Sequence, residues 1–317
     1  MKTYVIAEVG PNHNGNVDLA LKYVKELSKI GCSAIKFQHG RPELIYSNQA
    51  FFPDYQNQLK EKYIDPILAS KKRLLTDKDH VKIHNECKSC NIDYLCSAFD
   101  LKSIKFLNEN TNMRYFKIPS GEILSLDILD YVRSFDKPIL LSTGMATNEE
   151  IEFSINFINK FEKKKIILLH CISSYPTKNK DINLNRINKL KNKFGLKVGL
   201  SDHTSSLQIA SFAVYMGANV IEKHVTFDKN DEGPDHKTSL NIKEFKNMIT
   251  NIKEAEEILG PNIRYLKKDE KNVKSSSRKS LTAYKDIKKG QRISKSLIAF
   301  KRPGNGISPI YLDKIIS

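Results

Sequence analysis

No run of apolar residues in this 317-residue chain approaches the roughly 20 needed to span a bilayer. After Met1-Lys2-Thr3 the chain enters a strand-like run at once, which leaves no room for a secretory leader, so a cytoplasmic protein with no membrane partner is expected. The five cysteines are odd in number and scattered, which argues against a disulfide framework. Cys87 and Cys90 have CxxC spacing, but no second pair accompanies them. They fall in a helical stretch, Asp79 to Ser89, where positions three apart merely share a face. No GxGxxG follows the first strand, which weighs against an open dinucleotide-binding sheet.

What the chain does have is positive charge, 52 Lys and Arg against 36 Asp and Glu for a net +16. Nucleic acid is the reflex inference from such a balance. Here the lysines are spread along polar helix faces, as in Lys160 to Lys165 and Lys189 to Lys193, so a solvated surface explains them and no nucleic-acid partner is expected. A positive field of this kind favours a small anionic substrate. With 40% hydrophobic and 28% charged residues the composition is that of a folded protein.

The recurring unit is a short apolar run followed by ten or more residues at helical spacing. Strands are predicted at Tyr4 to Val9, Ser33 to Phe37, Ile92 to Ser97, Tyr115 to Ile118, Pro138 to Ser142, Ile166 to Cys171, Lys197 to Ser201 and Val220 to His224. Helices between them include Val17 to Ile30, closed by Gly31, and Thr76 to Ser89, with Asp77 and Asp79 in its first turn. A long connection, Gln38 to Leu75, breaks the rhythm, and loops of that length are usually functional. Eight strands alternating with helices predict an α/β fold of the (β/α)8 TIM-barrel type, whose strand ends converge on one mouth.

Each predicted strand delivers polar residues to that mouth: Glu8, Asn12 and Asn14; Lys36 and Gln38; Ser97; Lys117, Ser120 and Glu122; Ser142 and Thr143; His170, Ser173 and Tyr175; Ser201, Asp202 and His203; Glu222 and His224. His203 and His224, facing each other across the rim, suit a divalent ion that still accepts a substrate oxygen. Lys36 and Lys117 lie inside apolar strands, where an ammonium is costly unless an anion meets it. With the hydroxyls of Ser120, Ser142, Thr143 and Ser201 they describe a phosphate and carboxylate site. Glu8 and Glu122 are then the proton managers or hydroxyl binders. A structural ion pair between Lys36 and Glu8 is the competing reading.

Several motifs in order, Ile6-Ala7-Glu8-Val9-Gly10-Pro11-Asn12-His13-Asn14-Gly15, Lys36-Phe37-Gln38, Lys117-Ile118-Pro119-Ser120-Gly121-Glu122, Leu141-Ser142-Thr143-Gly144-Met145, Tyr175-Pro176-Thr177, Gly199-Leu200-Ser201-Asp202-His203-Thr204 and Glu222-Lys223-His224, resemble the sialic acid synthase family over nearly the whole chain. The resemblance implies an enzyme that condenses phosphoenolpyruvate with an open-chain N-acylated mannosamine-type sugar and water, releasing phosphate and a nine-carbon 3-deoxy-2-ulosonic acid. It implies a divalent metal on His203 and His224, typically manganese, with magnesium or cobalt as alternatives. Lys117, Ser120, Ser142 and Ser201 match phosphate binders and Lys36 a group at the phosphoenolpyruvate anion. Glu122 matches an acid or base near the reacting carbons, and Glu8, Gln38, Tyr175 and Asp235 match sugar-side contacts. Ser97 stands where many relatives have Thr and keeps its hydroxyl, while Ser173 stands where some carry Asn.

By this reading residues 1–262 are the catalytic barrel and 263–277 a linker. Residues 278–317, with Lys301-Arg302-Pro303-Gly304-Asn305-Gly306, resemble the antifreeze-like (SAF) domain of these synthases, here ending early. In a homodimer that domain reaches over the partner's site, and Arg302 matches a contact to the sugar's N-acyl group. Glu232-Gly233-Pro234-Asp235-His236 resembles the N-acetylneuraminate and N,N'-diacetyllegionaminate branches more than the pseudaminate branch. Pseudaminate synthase, another phosphoenolpyruvate-dependent keto-deoxy acid synthase, a class II metal aldolase and a non-catalytic saccharide-binding protein are the alternatives.

Overall fold

A computed structural model of the chain describes residues 2–51, 65–161, 163–261 and 263–316. It divides into two compact units, Met1–Gly260 and Pro261–Ser317. In the first unit eight parallel strands, β1 (Tyr4–Glu8), β2 (Ala34–His39), β3 (Asp93–Ala98), β4 (Phe116–Ile118), β5 (Ile139–Ser142), β6 (Ile166–Cys171), β7 (Lys197–Asp202) and β8 (Val220–Thr226), pair in chain order. β8 returns to pair with β1, so the predicted TIM barrel closes.

Local chemistry explains the alternation. Asn16 accepts from the Leu19 N–H to start the helix Val17–Lys29, which buries Ala20, Tyr23, Val24 and Leu27, and Gly31 turns the chain out of it at φ 88°. Capping boxes of Thr76 with Asp79 and of Thr147 with Glu150 open the helices Asp77–Ser89 and Asn148–Ile158. The strands are buried on both faces, because side chains fill the barrel on one side and the helices cover the other. Among the described residues no helix is long and apolar enough to cross a membrane, and all five cysteines are free.

Register decides which polar residues point inward, because directly paired residues of neighbouring strands share a face. Glu8 pairs with Lys36 and His224, Gln38 with Ser97, Ser97 with Lys117, Cys171 with Ser201, and Ser201 with Glu222. Asp202 and Lys223, one residue further along, pair on the opposite face.

The long connection after β2 is only partly unstructured. It contains a helical turn, Pro42–Ile45, and a helix, Pro66–Lys72, while residues 52–64 lie outside the described residues. In the second unit the stretch read as a linker is helical over Lys268–Ser277, with Glu270 bonded back to the Lys267 N–H and no buried residue. An antiparallel pair, Ser280–Ala283 with Ile298–Lys301, follows. Gly304 lies so close to this helix that a Cβ would come 2.8 Å from the Arg278 side chain and 3.0 Å from the Lys274 carbonyl.

Candidate active site

The inward-facing residues line a pocket of about 490 Å³ in the first unit. At its centre the Glu222 carboxylate lies between two ammonium groups, with Oε1 3.7 Å from Lys36 Nζ and 3.8 Å from Lys117 Nζ. Ser201 Oγ donates to the same oxygen at 3.1 Å. Lys36 also meets Glu8 Oε2 at 2.8 Å and Ser97 Oγ at 3.2 Å, and Lys117 donates to Ser142 Oγ at 2.8 Å. Gln38 Nε2 donates to Glu8 Oε1 at 2.7 Å. The Lys36–Glu8 pair is therefore real, and it belongs to a larger cluster of alternating charges.

Burial and neighbours set the protonation of this cluster. Burial pushes the Glu8 carboxyl up to about 7, even though Lys36 pulls the other way. Burial also opposes charge on Glu222, but Lys117 and Lys36 outweigh it and hold that carboxyl below its ordinary value. Burial lowers the Lys117 pKa, whereas on Lys36 the carboxylates of Glu222 and Glu8 overcome burial and raise it. One fixed carboxylate and one titrating carboxylate thus share two cations.

Beside the lysines the backbone of Gly144 is ringed by hydroxyls. Its N–H donates to Ser120 Oγ at 3.0 Å, and a Cβ there would strike the Ser173 hydroxyl and come 2.7 Å from that of Ser120. Two ammonium groups and several hydroxyls suit a phosphate with a carboxylate.

The two histidines line the same pocket, their ring centroids 5.5 Å apart, with the Tyr175 ring 4.2 Å from His203 and 6.1 Å from His224. His203 Nδ1 donates to the Ile172 carbonyl at 2.8 Å, which leaves Nε2 as the nitrogen free to bind. That carbonyl and Cys171 raise the His203 pKa to about 9 against burial, so a cation binding there would displace a proton. Burial, reinforced by His203 and Lys36, keeps His224 well below the ordinary value and hence neutral. His224 Nδ1 is buried without a hydrogen-bond partner, 3.6 Å from Asp235 Oδ2. Two imidazoles with an orphaned buried nitrogen fit a divalent cation with open positions. Among the described residues no group of three or more His, Cys, Asp or Glu forms a complete cation cage, so water or substrate would fill the remaining coordination.

Of the residues predicted from sequence, Glu8, Lys36, Gln38, Ser97, Lys117, Ser120, Ser142, Ser173, Tyr175, Ser201, His203, His224 and Asp235 line this pocket. Glu122 does not line it: the residue ends the 3-10 turn Ser120–Glu122 and accepts from the Ser125 hydroxyl. Arg302 is an exposed residue of the second unit. Other strand-end polar groups turn away from the mouth. His170 bonds the Ile182 carbonyl at 2.6 Å, Asp202 pairs with Lys223 at 2.6 Å, and Asn12 bonds Val225 O and Ser239 Oγ at 2.9 Å. Glu222, placed at the mouth by the sequence but given no role there, shares the parity of His224 two residues later on β8 and lies between the two lysines.

Comparison with known proteins identifies the family. Residues 23–264 match the NeuB family and residues 278–317 the SAF domain. The chain is 40% identical over 317 residues to the N,N'-diacetyllegionaminic acid synthase of Campylobacter jejuni subsp. jejuni serotype O:2, covering 99% of this chain and 95% of that protein. It is 36% identical over 325 residues to the pseudaminic acid synthase of Campylobacter jejuni subsp. jejuni serotype O:23/36, covering 99% and 91%. The crystal structure of N-acetylneuraminic acid (sialic acid) synthetase from Leptospira borgpetersenii serovar Hardjo-bovis, in complex with citrate, superposes with a TM-score of 0.75 at 30% identity, covering 86% of this chain and 90% of that one. Matched in sequence through its barrel and its tail, the chain belongs to the NeuB family, with a SAF domain following the catalytic barrel.

Proposed function

We propose that the protein is a nonulosonate synthase that joins phosphoenolpyruvate to an N-acyl mannosamine-type sugar of the sialate or legionaminate kind. The observation that carries this reading is a single carboxylate oxygen of Glu222 lying 3.7 and 3.8 Å from two buried ammonium groups, in a pocket otherwise walled by hydroxyls and imidazoles. A site that already holds one anion between two lysines is built for anionic substrate.

Lys117, with Ser142 and Ser120, holds the phosphate, and Lys36 with Ser97 and Ser201 faces the carboxylate. Both substrate anions enter a cluster that contains two carboxylates, so one of these must be able to lose its charge. Glu8, pushed up to about 7, is that group. Glu222 stays ionised and fixes the spacing of the two ammonium groups. His203 and His224 would hold a divalent cation, manganese in this reading, which when bound would supply Lewis acidity toward the sugar's aldehyde oxygen. The enol carbon forms the new C–C bond, the aldehyde oxygen takes up a proton, and water adds to C2 and gives one up. In this reading Glu8 holds either proton, and phosphate then leaves with its bridging oxygen. Tyr175, Gln38 and Asp235 face the sugar. In a homodimer Arg302 of the SAF domain contacts the N-acyl group.

Phosphate release measured with phosphoenolpyruvate, manganese and an N-acyl mannosamine-type sugar tests the reading. Release matched one-to-one by 3-deoxy-2-ulosonic acid, abolished by a chelator and restored by manganese, is the expected result. Folded protein that consumes no phosphoenolpyruvate with any such sugar would refute it.

A further inference from the structure

Asn12 and Asn14 are predicted at the barrel mouth, yet neither lines the pocket. Both reach instead to the connection that follows β8. Asn14, exposed, donates from Nδ2 to the Glu232 carbonyl at 3.0 Å. Asn12 is buried and spends both amide protons, on Val225 O and on Ser239 Oγ, each at 2.9 Å. Its own Oδ1 is buried without a hydrogen-bond partner among the described residues. The Val225 carbonyl can only accept, so the amide cannot be turned round to relieve that oxygen. A buried amide whose acceptor stays idle is there for its two donors.

The Ser239 hydroxyl, also buried, donates its one proton to the Asp235 carbonyl at 2.6 Å, so toward Asn12 it can only accept. The relay therefore runs one way, from Asn12 through Ser239 to Asp235. Thr238 adds its N–H at 3.2 Å and its hydroxyl at 3.0 Å to the same carbonyl. The short strand Leu240–Asn241 pairs beside Val225 and Thr226, which ties the far end of the connection back to β8. Between those ends the Asp235 carboxylate brings Oδ2 3.6 Å from His224 Nδ1, the nitrogen left without a partner. With one proton Asn12 holds the residue next to His224, and with the other it holds the support of Asp235.

We infer that Asn12 is a positioning residue for the cation site, setting through Ser239 the distance between the Asp235 carboxylate and the open nitrogen of His224. The inference rests on the synthase reading above, in which His203 and His224 hold a divalent cation. Attraction between a cation and a carboxylate falls with separation and is screened little in a buried site, so a displaced Asp235 weakens binding there without either histidine being altered. The lysines and hydroxyls that face the substrate anions stand on β2 to β7 or just after them and take no part in the relay.

Calorimetric titration of manganese into the metal-free protein, without substrates, tests this in the wild type, Asn12→Ala, Ser239→Ala and Asn14→Gly. Ser239→Ala cuts the relay and leaves the bond to Val225, whereas Asn12→Ala removes both. Each is expected to bind manganese about 10- to 100-fold more weakly, the usual cost of losing a group that orients a metal site. Phosphoenolpyruvate titrated into the same metal-free variants should bind as in the wild type. Asn14→Gly releases the other hold on the same connection and suits the φ of 50° at that position, and it is expected to keep wild-type affinity for manganese. Wild-type manganese affinity in Ser239→Ala, the smaller of the two cuts, overturns the inference whether or not Asn12→Ala folds. An equal loss in Asn14→Gly overturns it too, because the effect would then be one of anchoring the loop at large. A wild type that binds no manganese removes the cation site of the synthase reading itself.

Discussion

Two buried lysine–carboxylate clusters stand back to back on β7 and β8, and they differ in how completely they are satisfied. On the outer face Lys223 Nζ donates to Asp202 Oδ2 at 2.6 Å, to Thr204 Oγ1 at 3.2 Å and to the Thr204 carbonyl, while Asp202 Oδ1 accepts from the Thr204 N–H at 2.8 Å. On the inner face, one residue along in register, Glu222 Oε2 and His224 Nδ1 are buried without hydrogen-bond partners. Lys223 is 1% exposed and Lys117 2%, so burial does not tell the clusters apart. The closed cluster locks the loop after β7 onto the barrel, and the open one retains capacity for something else. Unspent hydrogen-bonding capacity at a buried charge marks the site better than the charge itself.

The sharpest way to break this comparison is to open the closed cluster. Asp202→Ala strands the Lys223 ammonium and is expected to cost about 3–5 kcal/mol in denaturant unfolding. The inner face should answer in the opposite manner. Lys117→Met is expected to lower the rate of phosphate release by about 10²–10³-fold, with an unfolding midpoint near that of the wild type, because burial already disfavours its charge and Lys36 remains beside Glu222. Equal losses of stability at both positions would erase the distinction.

Glu8 sharpens the comparison through pH. Its folded pKa is raised from 4.5 to about 7, so the unfolded chain releases the proton first as pH rises. The contribution to stability is therefore full below pH 4.5 and is lost as pH rises through 7. Wild type minus Glu8→Gln, in unfolding free energy, should fall across that window and level off above it. A flat difference would show that Glu8 does not hold a proton. The smallest effect belongs to Arg302→Ala, which is expected to raise the apparent KM for sugar several-fold with little change for phosphoenolpyruvate. An unmoved sugar KM would take the SAF domain out of the site.

Much of the barrel could be read directly, because each strand is a short apolar run ended by polar residues, and the observed strands begin and end within two residues of the predicted ones. Direction was harder. Strands buried on both faces carry no alternation of polarity, so His170 and Asp202 looked as suitable for the mouth as Cys171 and Ser201, and only register separates them. Glu222 was placed at the mouth beside His224, and positions two apart on a strand share a face, but nothing in the sequence shows that it would sit between two lysines. Glu122 carried a family match, but the tight turn after β4 gives it to Ser125. The helix Lys268–Ser277 was invisible for another reason. With no apolar stripe to bury, its polar sequence looks like a linker.

In the proposed function the inner face of the strands, and not the outer, receives phosphoenolpyruvate. Calorimetric titration of phosphoenolpyruvate into the wild type, Lys117→Met and the double variant Asp202→Leu/Lys223→Met tests it directly. Equal affinity is expected for the wild type and the outer-face double variant, and at least about a tenfold loss in Lys117→Met, as follows from removing a charged hydrogen bond. Wild-type affinity in Lys117→Met, or loss of binding in a folded outer-face variant, would contradict it.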